Sequence, residues 1–222
     1  MKELQSVIKA AKLPLEKVDT DLLVVPISLS DGSSELSDLD GATGGELGRA
    51  LSRGECTGKK YENFIVKTID DSWSADRLML IGMGEERPYS LSRLRQVATA
   101  AALVGRRCRI NDIAFAVPES IKTVIGVQAV AEGLTLGEFS PDLYKAESDQ
   151  DLSSLRSLQV VSTHDESELI ENAVLRGRLL GECSNLARRL ANEPSNQLSP
   201  SILAEQALEI LKGTSLEIDV LD

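Results

Sequence analysis

The chain has 222 residues, enough for one well-buried domain and part of a second. Hydrophobic residues make up 42% and charged residues 27%, a mixture too apolar for disorder. A net charge of −11 leaves no broad positive field to hold a phosphate backbone, which argues against non-specific nucleic-acid binding.

The first residues, MKELQSVIKAAK, carry charges throughout and lack the apolar stretch of a secretory signal. A strand is expected around Ser6–Ala10. Leu22–Ser28 (LLVVPIS), Arg77–Ile81 (RLMLI), Ile113–Val117 (IAFAV) and Leu158–Ser162 (LQVVS) are continuously apolar, as strands covered on both faces are. Between them, Gly45–Arg53, Ser90–Val104 and Ser120–Gly137 carry helical patterning. Alternation of this kind predicts an α/β domain around a mostly parallel or mixed sheet flanked by helices. Asp142–Ser157 is polar and aperiodic, and is expected to be an irregular or edge segment.

Thr163 with Glu166 three residues later fits a capping box, opening a helix expected to run to about Leu190. Leu175, Leu179, Cys183, Leu186 and Leu190 share one stripe of that helix, and Ala173, Gly177 and Gly181 form a second stripe that admits close approach of another backbone. Pro194 ends the helix. Ser199 is placed to cap a following helix, Ser201–Lys212, with Pro200 at its first position. After Gly213, the alternation Leu216, Ile218, Val220 predicts a strand over Leu216–Leu221. A lone helix–strand unit cannot bury its own faces. The chain is therefore expected to be cut from a longer one, with the segment after about Glu171 open to proteases and 1–163 as the resistant core.

Few residues suggest chemistry. Gly82-Met83-Gly84 follows a strand, but the third position of a dinucleotide fingerprint is Arg87, so a strand-end turn is expected. Thr43-Gly44-Gly45 is read as a capped helix start and turn rather than an anion site. Arg106, Arg107 and Arg109 cluster at a helix end, where cations complement the dipole. His164 is the only histidine, with no metal-ligating or nucleophilic partner at useful spacing. Cys56, Cys108 and Cys183 are odd in number and far apart, which predicts free thiols and a cytoplasmic location. No apolar run is long enough to span a membrane. No catalytic, cofactor-binding or metal-binding residue is assigned.

Glu171–Ala204, ENAVLRGRLLGECSNLARRLANEPSNQLSPSILA, carries the pattern N-x-P-x-N-x-x-x-P at Asn192, Pro194, Asn196 and Pro200, preceded by NLAR at Asn185–Arg188. With Thr43-Gly44-Gly45 and the following LGRALSRGECTGK, RLMLIGMGEE, and VAEGLTLGEF at Val130–Phe139, this resembles the leucyl (cytosol) aminopeptidase family over nearly the whole chain. The resemblance implies a macro-domain-like N-terminal domain over 1–163, a linking helix over 164–192, and the start of a metallopeptidase catalytic domain over 193–222. It further implies that the complete protein removes N-terminal residues from peptides with two divalent metals (zinc, manganese or magnesium), and assembles as a hexamer. The family's metal-binding strings, similar to VGKG-x-x-FD and NTDAEGR, do not occur in 1–222. This chain alone is therefore expected to be inactive and to serve in assembly or regulation. Asn192–Pro200 is read as a helix–loop–helix junction.

Two readings of another class stand beside this one. A macro-domain-like fold suggests ADP-ribose or nucleotide binding near Thr43-Gly44-Gly45, although the turn after Leu22–Ile27 is Ser28-Leu29-Ser30-Asp31 and lacks the asparagine-rich turn of such domains. DNA binding would rest on the Arg106–Arg109 cluster.

Overall fold

The computed structural model describes residues 6–28, 36–85, 90–141, 144, 153–162 and 167–221. The apolar runs form six strands: β1 Val7–Ala11, β2 Leu22–Ile27, β3 Asn63–Lys67, β4 Arg77–Gly82, β5 Asp112–Ala116 and β6 Ser157–Val161. They make one sheet in the order β1-β6-β5-β2-β4-β3. Every neighbouring pair is parallel except β3–β4, so the sheet is mixed, as expected.

The uninterrupted hydrophobicity of the central strands has a direct structural cause. Leu22 and Val24, Met79 and Ile81, Ile113 and Phe115, and Leu158 and Val160 point into one core, which is closed by α3 (Leu91–Arg107), α4 (Val124–Leu136) and α5 (Ser167–Asn192). The residues between them, Leu23, Leu78, Leu80 and Ala114, enter a second core on the opposite face, under α1 (Ser37–Ala42) and α2 (Glu46–Ser52). A strand with helices on both sides has no polar face to display.

Two elements were not expected. The antiparallel edge strand β3 lies in a short, polar-flanked run, and α1 has only six residues. The helix expected over Ser120–Gly137 starts later. A 3-10 turn at Glu119–Ile121 comes first, and Thr123 then caps α4 by accepting the Gly126 N–H at 3.0 Å. Ser90 caps α3 in the same way through the Arg93 N–H.

The helix expected to end near Leu190 continues to Asn192. Ser199 caps α6 (Pro200–Leu211), its hydroxyl accepting the Ile202 N–H at 3.3 Å with Pro200 at the first position, as read. The strand expected over Leu216–Leu221 is not formed. Residues 216–221 pair with no strand among the described residues, and Leu216, Val220 and Leu221 are exposed. Alternation marks a segment able to become a strand, but only a neighbour's backbone makes it one. The capping box at Thr163–Glu166, His164, and most of Asp142–Ser157 lie outside the described residues.

Candidate functional site

α5 presents three faces with different chemistry, and each follows from its sequence. The small-residue stripe lies against α4. A Cβ on Gly177 would overlap the Gln128 carbonyl oxygen and sit 2.8 Å from Ala131 Cβ, and one on Gly181 would sit 2.5 Å from Thr135 Cβ. Ile170, Ala173 and Val174 are buried beside this seam. The helix read from sequence as a link is thus, in its first turns, a layer of the domain. Buried residues of this helix continue as far as Gly181.

This seam decides the sign of a substitution. Gly177→Ala gains about 1 kcal/mol of helix propensity, but its methyl meets α4 backbone that cannot rotate away, an overlap costing roughly 1–3 kcal/mol or more. A net loss of about 1–2 kcal/mol in urea denaturation is expected. Gly41→Ala in α1, where a Cβ meets nothing within 4 Å, is the control and should not destabilise.

The second face is polar. Arg178 is 9% exposed. Its guanidinium pairs with Glu138, just beyond α4, and with Glu182 one turn along α5, and reaches the Ser6 hydroxyl at 3.3 Å. The Ser6 N–H also donates to Glu138 Oε1 at 3.3 Å. Burial pushes the Glu138 carboxyl above its ordinary range, against the opposing pull of Ser6 and Arg178. Further along α5, Asn185 Nδ2 donates to the Thr135 carbonyl at 2.7 Å, Arg188 to that of Leu136 at 3.5 Å, and Asn192 Nδ2 to that of Pro141 at 3.2 Å.

The third face is the leucine stripe, and it is bare. Leu175 is 62% and Leu179 59% exposed, and Cys183 is exposed with them. Leu186 and Leu190 are half-buried. α6 has no buried residue and shows Leu203, Leu208 and Ile210 to solvent. Leu216, Val220 and Leu221 are exposed as well, and large exposed apolar patches are the kind of surface that marks a contact with another folded body.

The motifs singled out in the sequence resolve into structural roles. Gly82 ends β4 with the backbone of Gly58 and Lys59 packed where a side chain would stand. Its carbonyl accepts the Tyr61 N–H at 2.9 Å and its N–H donates to the Glu62 carbonyl at 2.7 Å. Gly84 turns the chain with φ +83°. At Thr43-Gly44-Gly45 the two glycines take φ +63° and +82° between α1 and α2, a region closed to most side chains. The amides opening α2 are occupied: Leu47 N–H donates to the Thr43 hydroxyl at 3.4 Å and Gly48 N–H to Asp40 Oδ1 at 2.6 Å.

The basic cluster does not act as one. Arg106 was read as a dipole-complementing cation, but it is 4% exposed. It donates to the Ser153 carbonyl at 2.7 Å and to those of Gly137 and Phe139 at 2.9 Å. It fastens the end of α4 to α3, while Arg107 and Arg109 remain at the surface.

A polar depression of about 230 Å³ lies at the amino ends of β2, β4, β5 and β6, among Lys9, Asp19, Asp21, Asp76, Asp112 and Gln159. Ligands of open α/β sheets take the carboxyl ends instead. Its acidic groups hold the framework: Asp21 Oδ2 accepts the N–H of Asn111 and of Asp112 at 3.0 Å, and Asp112 pairs with Arg156. Among the described residues no group of three or more His, Cys, Asp or Glu is placed to hold a metal ion. These residues therefore do not fit the two-metal centre that the resemblance implies. No helix among them is long and apolar enough to cross a membrane.

Residues 24–148 match the family described as the cytosol aminopeptidase family, N-terminal domain. A probable cytosol aminopeptidase of Acidobacterium capsulatum is 28% identical, covering 93% of this chain and 43% of the relative. A protein of the same description from Geobacter sp. (strain M21) is 30% identical, over 93% of this chain and 42% of the relative. The fold is similar to that of a tomato leucine aminopeptidase mutant, with TM-score 0.78 at 23% identity, over 93% of this chain and 42% of the other. The bottromycin maturation enzyme BotP follows at TM-score 0.64 and 17% identity, over 89% of this chain and 38% of the other. The chain thus spans about two fifths of the length of the proteins it matches.

Proposed function

The chain belongs to the cytosol aminopeptidase family through that family's N-terminal domain, and from this premise we propose that it is the non-catalytic portion of a larger cytoplasmic peptidase. The complete protein releases N-terminal residues from peptides at a centre of two divalent metals, zinc, manganese or magnesium, held outside residues 1–222, and works as a hexamer. Residues 1–222 contribute assembly or regulation, not chemistry. The observation that carries this reading is the bare apolar face of α5, α6 and the tail. It lies wholly after residue 148, where the family match ends, and this chain covers only 43% of the Acidobacterium capsulatum relative.

The test is activity against leucyl p-nitroanilide with manganese or zinc. The purified chain is expected to give no metal-dependent hydrolysis, because the metal-held water that two-metal peptidases use has no ligands among the described residues. A fusion of this chain to the remaining three fifths of the Geobacter relative is expected to hydrolyse it. Turnover by the chain alone, after host peptidases are removed, overturns the proposal. So does a fusion that folds yet stays inactive while the intact relative works.

A further inference from the structure

We propose that α5 is a two-part strap: an anchored half, Ser167–Leu180, and a releasable half, Gly181–Asn192, that swings away from α4 about Gly181. The two halves are held by different physics. In the first, Ile170, Ala173, Val174, Gly177 and Arg178 are all buried, and Arg178 ties the helix to Glu138 and to Ser6 before β1. After Gly181 no residue of α5 is buried. What remains is half-buried Leu186 and Leu190 and a few polar contacts to the end of α4 and the segment after it: Asn185 on the Thr135 carbonyl, Arg188 on that of Leu136 and over the Phe139 ring, and Asn192 on the Pro141 carbonyl, the last two hydrogen bonds exposed. Water competes directly for such bonds, so they hold position without much net free energy.

Two details place the joint. Gly181 sits at the last point of close approach, where its missing side chain faces Thr135 and the Glu132 carbonyl, and glycine is the weakest ordinary residue inside a helix. One turn on, the first of the side-chain contacts begins, Asn185 Nδ2 donating to the Thr135 carbonyl at 2.7 Å. From there on the releasable half meets α4 through the side chains of Asn185 and Arg188. The rail it leaves stays in place, because Arg106 holds the Gly137 and Phe139 carbonyls from the α3 side. The releasable half carries Leu186, Leu190 and all of α6, so its swing re-aims the exposed Leu203, Leu208 and Ile210 relative to Leu175 and Leu179, which stay with the anchored half. The strap is a property of this chain and stands whether or not the catalytic reading does.

Hydrogen exchange on the full chain, read by mass spectrometry, tests the device. After correction for intrinsic rates, amides of 183–192 are expected to exchange about 100-fold faster than those of 170–180. The double variant Asn185→Ala, Arg188→Ala is expected to speed 183–192 by roughly tenfold further and leave 170–180 unchanged. Equal protection through 192, fast exchange confined to the final turn as in ordinary fraying, or a double variant that opens both halves together would each overturn the strap.

Discussion

Replacing Arg178 with alanine is expected to lower stability by on the order of 3 kcal/mol at neutral pH, the usual scale for removing one partner of a buried ion pair. The loss comes less from the missing bond than from what it leaves behind. Glu138 stays largely enclosed beside Ser6, and Glu182 stands on the same side of α5 with its guanidinium gone. Because burial already raises the Glu138 carboxyl, the folded protein holds that proton more tightly than the unfolded chain does. The stabilising contribution of Glu138 is therefore complete below the ordinary carboxylate range and is lost as pH rises through its raised folded value. Deleting Arg178 raises that value further, so the gap between variant and parent should narrow as the solution is acidified. Adding Glu138→Gln to Arg178→Ala should recover part of the loss at neutral pH. Urea titrations at several pH values decide it. A deficit below about 1 kcal/mol, or one that ignores pH, would place the cluster among ordinary surface pairs.

Gly82→Ala should cost about 3 kcal/mol, at the upper end of overpacking effects. The new methyl would occupy the space of the Lys59 carbonyl, which is backbone rather than a flexible side chain. The loop from Gly58 to Glu62 would have to leave β4, losing three bonds: Tyr61 N–H to the Gly82 carbonyl, Gly82 N–H to that of Glu62, and Gly84 N–H to that of Gly58. Thermal unfolding of the variant checks this, and a melting temperature equal to the parent's would show that the loop gives way freely. The same result bears on the motif itself. Gly82-Met83-Gly84 has the spacing of a phosphate loop, yet its first glycine admits another part of the chain.

Much of this was legible without coordinates. The four apolar runs became β2, β4, β5 and β6 because a strand buried on both faces has nowhere to place a polar residue, and hydrophobicity records that position by position. Ser199-Pro200 located the start of α6, since capping is settled within four residues. The two stripes of α5 were visible from their spacing: the small one meets α4, and the leucine one is bare at Leu175 and Leu179.

What needed the tertiary structure was every feature whose partner lies far along the chain. β3 exists as an edge because β4 offers it an antiparallel ladder, whereas Leu216–Leu221, with a better alternation, finds no partner among the described residues and stays irregular. Arg106 and Arg178 look in sequence like surface cations of a helix. One turns inward to three carbonyls and the other to a carboxylate 40 residues away. Periodicity and capping are fixed by neighbours within a turn or two, so the order of residues determines them alone. Which face a helix buries, and whether a charge is enclosed, depends on what the rest of the chain brings alongside it, and only the folded molecule decides that.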